Sequence, residues 1–316
     1  MKPSFSFNDA LSAPFVMLRR RPLYLFVWGL MMTALVAAMY ALMIPILAAL
    51  PFDQADNAAA MDQYMMEVSG FSAIANVMSL LVYLAMLLVW TAAGRAALSP
   101  VRGDRFLFLR IGMDEFRVAV VIIAVFFGWY IAFLLLVLIG VGVAVALWAA
   151  NEALAVTVTL VYGLAVAVAS IWALVRVSLI APASLILRSF AFAEGWSIAR
   201  GQIWKLIGLN LLVWLIYMIS LILLYAAVAA ILIGAFLGQG LTWPAEIDTL
   251  ADLEPVFRPM IAPLALTAIP FALGFGWVMA LYAAPGVVAA RQLLDGVPTP
   301  APIVEDAPPI DRLQTL

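Results

Sequence analysis

The sequence predicts an all-α, polytopic membrane protein: six transmembrane helices arranged as three parallel hairpins, with interfacial helices on the cytoplasmic side. Three observations carry that class. Hydrophobic residues make up 67% of the 316 positions, against ~45–50% in soluble chains. Six separate apolar stretches are long enough to cross a hydrocarbon core, which takes about 20 helical residues. The 16 cations are gathered almost entirely on one set of connecting segments. A water-soluble bundle would need a polar face around each helix, and these stretches have none.

Taken in order, residues 1–22 read as a cytoplasmic, interfacial N-terminal segment, and 23–294 as the membrane domain. The first span, near 23–49, lies in an uncharged run from Pro22 to Phe52, roughly 45 Å of helix. That exceeds the hydrocarbon thickness, so tilt or protrusion is expected. It is too long for a signal-peptide core, and no clean small-x-small site follows it, so it should be retained. The second span lies near 70–94, after the acidic outer loop "PFDQADNAAAMDQYMMEV". The third and fourth, near 118–148 and 153–175, are joined by a tight outer turn at Asn151–Glu152. The fifth, near 206–236, is followed by "TWPAEIDTLADLEP" and then by the sixth, near 261–290. That last span carries Pro263, Pro270, Gly274, Gly276 and Pro285, a pattern compatible with a broken helix that exposes backbone to a substrate or with ordinary tolerance of Pro among packed neighbours. Residues 295–316, "DGVPTPAPIVEDAPPIDRLQTL", are Pro-rich and aperiodic and should be disordered in the cytoplasm.

Cations set the orientation. With the N-terminus in the cytoplasm, inside segments hold Lys2, Arg19, Arg20, Arg21, Arg95, Arg102, Arg105, Arg110, Arg117, Arg176, Arg188, Arg200, Lys205, Arg291 and Arg312, leaving Arg258 outside. Acidic residues divide evenly, as expected when Lys and Arg alone report topology. Both termini are therefore expected inside. The strong excess of Arg over Lys is compatible with a GC-rich bacterial genome, which makes the bacterial inner membrane the expected location.

The three hairpins share an approach on the cytoplasmic side. "LRRRPLYLF", "LRIGMDEFRV" and "ARGQIWKLI" each run from an Arg through Pro22, Gly112 or Gly201 to an aromatic and then the span. On the returning helices Trp90 and Pro100 match Trp172 and Pro182 in spacing, while Trp277 and Pro285 stand closer. These features fit three parallel repeats about an axis normal to the membrane, and equally the general habit of inside boundaries to collect Arg, Gly and Trp.

The stretch "GWSIARGQIWKLIGLNLL" explains its own charges. A helix from Phe192 aligns Phe192, Trp196, Ala199 and Ile203 in an apolar stripe, with Glu194, Ser197 and Gly201 opposite, as expected of a helix lying on the cytoplasmic leaflet. Gly201 suits a left-handed cap, with Arg200 at the negative end of the helix dipole. Trp204 and Lys205 then anchor the fifth span at headgroup level, and Arg188, Trp196 and Arg200 complete the expected interfacial anchors. A counterpart over 104–117 carries the stripe Phe106, Leu109, Met113 and Phe116, but Leu107, Phe108 and Ile111 cover another side.

Residues 176–215, with "RVSLIAPASLIL" followed by "FAEGWSIARGQIWKLIGLNLLVWLI", resemble the membrane domain found beside bacterial glycerophosphodiester phosphodiesterases and related stand-alone membrane proteins; elsewhere the likeness is one of hydropathy. The residues read here include no soluble phosphodiesterase domain, so that activity does not carry over, and the usual polar-rich start is reduced to Ser197. The resemblance implies a helical membrane unit and names no catalytic residue.

Catalytic chemistry is thinly supplied. Cysteine and histidine are both absent, which removes thiolate and zinc sites of the usual kinds and the commonest general base. No ionisable residue falls mid-span, contrary to what proton-coupled pumps require. The chain is thus expected not to be an enzyme, and nothing in it asks for a cofactor. Two lines of neutral polarity remain: Ser72, Asn76, Ser79 and Tyr83 on the second span, and Asn210, Trp214, Tyr217 and Tyr225 on the fifth. They could line a cavity for a headgroup or small solute, or supply interhelical hydrogen bonds worth about 0.6–2 kcal/mol each. The outer acids Asp53, Asp56, Asp62 and Glu67, and Glu246, Asp248, Asp252 and Glu254, could meet a divalent cation or simply solvate the outer loops. Gly140/Ala144, Ala165/Ala169 and Gly234/Gly238 suit close helix packing. The expected role is a non-enzymatic accessory or scaffold in a lipid or envelope pathway, with a carrier or channel for a small or lipidic solute as the alternative. Membrane lipids are the expected partners, followed by a protein partner or second copy of the chain; nucleic acid is not among them.

Overall fold

A computed structural model describes residues 4–42, 58–99, 107–242 and 254–295. Among these residues there are nine helices and no strand: α1 (Phe7–Arg20), α2 (Pro22–Ala41), α3 (Ala58–Leu98), α4 (Met113–Trp148), α5 (Glu152–Val177), α6 (Ile180–Leu187), α7 (Phe192–Ile198), α8 (Ile203–Gly238) and α9 (Glu254–Leu294). Six spans are long and apolar enough to cross a membrane, in α2, α3, α4, α5 with α6, α8 and α9. The protein is therefore all-helical and of the multi-pass membrane class. Residues 296–316 of the expected tail (295–316), the far end of the first span, and residues 51–57 and 243–253 of the two long outer loops lie outside the described residues; the rest of the first loop, from Ala58, is helical and belongs to α3.

Local chemistry sets the helix starts. Ser6 Oγ accepts from the Asp9 N–H at 3.4 Å to cap α1, whose first turn holds Asp9 and whose last holds Arg19 and Arg20, charges that complement the helix dipole. Arg21 interrupts the helix with φ −140° and ψ 50°, and Pro22 opens α2 at the first helical position, where its missing N–H costs nothing. At α4, the Glu115 carboxylate reaches back to the Gly112 N–H at 2.9 Å, half of a capping box. Asn151 Oδ1 accepts from the Leu154 N–H at 3.0 Å and starts α5 immediately after the turn from α4.

The last helix organises the rest. α9 packs against α2, α8, α1 and α3, and its C-terminal half from Met279 to Leu294 is nearly continuous core. One core cluster joins Leu25, Trp28 and Met32 of α2 with Val89, Ala92 and Ala93 of α3 and Met279, Ala280, Ala283 and Ala284 of α9. A second joins Phe5 and Ala10 at the N-terminus with Leu206 and Leu209 of α8 and Leu281, Ala289, Ala290 and Leu293 of α9. The N-terminal segment is thereby fastened to the end of α9, and Ser6 N–H donates to Gln292 Oε1 at 2.6 Å. α9 remains one helix in spite of Pro259, Pro263, Pro270 and Pro285, so the Pro-rich span is unbroken and exposes no unwound backbone.

α2 crosses α9 backbone to backbone. A Cβ placed on Gly276 would lie 2.6 Å from the Leu25 carbonyl carbon and closer to its oxygen, and one on Gly29 would meet the Ala272 carbonyl in the same way. By contrast α4 and α5 stand off from the bundle. Every buried residue of α4 lies near its start, at Glu115, Val118 and Val121. Farther out the two helices hold each other: the Tyr162 hydroxyl donates to the Leu136 carbonyl at 2.6 Å and its ring covers Gly140.

Two expected packing motifs and one expected helix turn out otherwise. Gly234 and Gly238 have nothing within 4 Å of where a side chain would begin, and Ala165 and Ala169 are exposed. Residues 107–112 are not helical; Leu107 and Phe108 take left-handed φ of 54° and 62°. Their carbonyls are drawn away from helical partners, accepting from the Trp28 indole at 3.1 Å and from Arg95 Nη1 at 2.7 Å.

Candidate functional site

A cavity of about 580 Å³ lies where α4 and α8 begin and α5 ends. Helical spacing builds it. Val121, Val125 and Trp129 recur along one face of α4, and Leu206, Asn210 and Val213 along one face of α8. Tyr282 and Gly286 of α9 close the back, and Trp90 of α3 and Pro182 of α6 complete the wall. None of the lining side chains is an Asp, Glu, Lys or Arg; the polar groups are neutral, chiefly Asn210, Ser178 and Tyr282. Phe126 and Trp214 both line the cavity and are 61% and 51% exposed, so it opens sideways between α4 and α8. Such a space accommodates hydrocarbon and offers a few hydrogen bonds; it has no charged group for proton transfer.

Beside it, a buried polar cluster joins α3 to α4. Arg95 forms an ion pair with Glu115, and Thr91 Oγ1 donates to the same carboxylate at 3.3 Å. Arg21 donates to the carbonyls of Ala96 and, at 3.1 Å, Ser99, and lies 5.0 Å over the Phe108 ring. Burial lowers the Arg21 pKa from its ordinary value, because desolvation disfavours the charged form. These groups tie the helix ends together and aim at no common reaction point.

The polar line on α8 divides between two environments. Asn210 and Trp214 reach the cavity, and Tyr217 packs against Tyr282 at 5.4 Å between ring centroids. The line on α3 is elsewhere. Ser72, Asn76 and Tyr83 are exposed, with Ser72 Oγ donating to the Ser69 carbonyl at 2.7 Å. Ser79 is half-buried, donating to the Ala75 carbonyl at 2.8 Å and lying 4.0 Å from the Met39 sulfur. The two lines do not share the cavity.

Among the expected anchors, Arg200, Trp204 and Lys205 are exposed, as is Arg188, which holds a left-handed φ of 52° at the end of α6. Gly201 adopts φ 86°, the left-handed cap anticipated for it. Trp196 is half-buried. The Arg176 guanidinium lies 4.5 Å from its ring centre and 4.9 Å from that of Trp172. The i, i+4 spacing of Trp172 and Arg176 was visible in the sequence; their meeting with Trp196 across two turns of chain was not. Among the described residues, no group of His, Cys, Asp and Glu could hold a metal ion.

No protein-family model, curated protein or solved structure matches the chain.

Proposed function

We propose that the protein is a non-enzymatic accessory or scaffold of the bacterial inner membrane that binds lipid in the cavity between α4 and α8, within a lipid or envelope pathway. The carrying observation is the cavity's sideways opening and uncharged, aromatic-rich wall. A site reached from the bilayer and lined mainly by hydrocarbon takes acyl chains in preference to hydrated solutes. The same opening supports a second reading, carriage of a lipidic solute. A channel for a small polar solute fits this lining poorly.

In this reading both termini are cytoplasmic, the spans form three parallel hairpins, and α1 and α7 lie along the inner leaflet, with the cavity at inner-leaflet depth. The cation distribution supports that orientation. Reporter fusions after Glu152 and Glu254 are expected to read periplasmic, and a fusion after Arg200 cytoplasmic. A cytoplasmic signal at Glu152 would remove the middle hairpin from the membrane and the cavity with it.

Cavity occupancy has its own test. Val125 is half-buried on the α4 wall, so Val125→Trp should fill space without disturbing the α2–α9 core. Native mass spectrometry of detergent-purified protein is expected to show retained phospholipid on the wild type and several-fold less on Val125→Trp at unchanged thermal stability. Equal retention by both would remove the cavity as the lipid site.

A further inference from the structure

Arg176 is 6% exposed, and its Nε is buried without a hydrogen-bond partner. Among the described residues, no carboxylate pairs with it and no carbonyl accepts from it. The nearest acid in sequence on the facing helix, Glu194, is turned to solvent. What surrounds the guanidinium is aromatic: Trp172 at 4.9 Å and Trp196 at 4.5 Å, with the two rings edge-on to each other at 5.8 Å.

Contact with the rings satisfies the charge in part, but it leaves the buried Nε–H without an acceptor, and an unpaired buried donor is costly. The two rings stand at 87° to each other with their centroids 5.8 Å apart, so they flank adjacent sides of the guanidinium and hold it in place from two directions. A planar fork held this way matches the oxygens of a phosphate, with charge and two-point hydrogen bonding together. The rim adds a second property. Trp172 is 42% exposed, and Phe192, one helical turn before Trp196 on α7, is 37% exposed, giving an apolar border that suits the glycerol and upper acyl region of a lipid.

We propose that Arg176, flanked by Trp172 and Trp196, is a binding site for a single phosphate group, supplied by a phospholipid of the adjoining leaflet. The site rests on the membrane placement proposed above but is separate from the cavity: Leu174, Val177 and Ser178 face the cavity from α5, while Arg176 lies on the opposite side of that helix. Occupancy would fasten α7 to α5, since Trp196 belongs to one and Trp172 to the other.

The test uses the full chain in a phosphate-free maltoside detergent, with hydrogen–deuterium exchange read over residues 189–200. Phosphatidylglycerol, diacylglycerol of the same chains and inorganic phosphate are added separately. On the proposal, phosphatidylglycerol slows exchange about tenfold in the wild type, the scale of one charge-assisted hydrogen bond, and diacylglycerol does not. Inorganic phosphate protecting as well as the lipid would keep the phosphate site and assign it to a soluble source. Arg176→Gln should abolish the protection, and Arg176→Lys, which keeps the charge but loses the planar fork, should lose most of it. Val125→Trp should retain it. The proposal is overturned if neither phosphate compound protects, if diacylglycerol protects equally, or if Val125→Trp removes the effect. Should Arg176→Gln fail to fold, the wild-type arms decide.

Discussion

Gly276→Leu is expected to prevent the bundle from closing, with a loss of about 3 kcal/mol or more of stability. Overpacking an ordinary core site costs ~1–3 kcal/mol because neighbouring side chains can shift. Here the obstruction is the Leu25 backbone itself, and only separation of α2 from α9 relieves it. That separation would strip cover from Trp28 and Leu25, which are 0% and 1% exposed. Gly29→Leu should behave alike, since it meets the Ala272 backbone and the Gly276 nitrogen. Gly234→Ala is the control: open space surrounds it, and Ala is the better helix residue by ~0.5–1 kcal/mol, so it should be neutral or mildly stabilising. Thermal unfolding and gel filtration in detergent read all three. Wild-type melting by Gly276→Leu would mean that the α2–α9 crossing is not the centre of the fold.

Glu115→Ala should be nearly as damaging, by about 3–5 kcal/mol, the cost of leaving one member of a buried ion pair alone. Glu115 is 7% exposed and serves three partners at once: Arg95, the Thr91 hydroxyl and the Gly112 N–H. Its loss leaves Arg95 charged between helices and removes the first-turn cap of α4. The informative comparison is the double variant Arg95→Met/Glu115→Leu. Replacing both charges by apolar groups should recover much of the loss, because desolvation of the pair consumes most of its attraction. Thr91→Val alone should cost only about 1 kcal/mol. A double-mutant cycle by thermal or chemical unfolding measures the coupling. Strictly additive single losses would show that the two groups act independently.

The spans were legible because each is an uninterrupted apolar run, a signal that needs no tertiary information. What the runs could not reveal is which faces meet. Gly29 stands alone in its helix, whereas Gly234 and Gly238 carry the familiar four-residue spacing; yet Gly29 touches backbone and the other two touch nothing. Arg95 and Glu115 read as boundary charges beside the second and third spans, and only the turn at 107–112 brings them together. Asn210 and Trp214 were legible as a polar face and do reach the cavity. Their cavity neighbours Trp90, Val125 and Tyr282 come from three other helices and had no local mark. Trp196 reads as an interfacial anchor because aromatic residues collect at a boundary; its meeting with a cation twenty positions earlier in the chain had no local mark.

The α2–α9 crossing also sets an order on biogenesis. α2 is the first span of this chain to emerge from the ribosome and α9 the last, yet each supplies the other's closest neighbour. At about 5–20 residues per second, Leu25, Trp28 and Gly29 must wait on the order of tens of seconds in the bilayer before their partner is translated. During that interval α2 can rest only against lipid, α3 or a provisional companion. Nascent chains that stall before α9 would hold inserted but unassembled helices, with the Gly29 groove open to insertase, chaperone or membrane protease. Translation of the final span is therefore the step that converts a row of inserted helices into a folded protein.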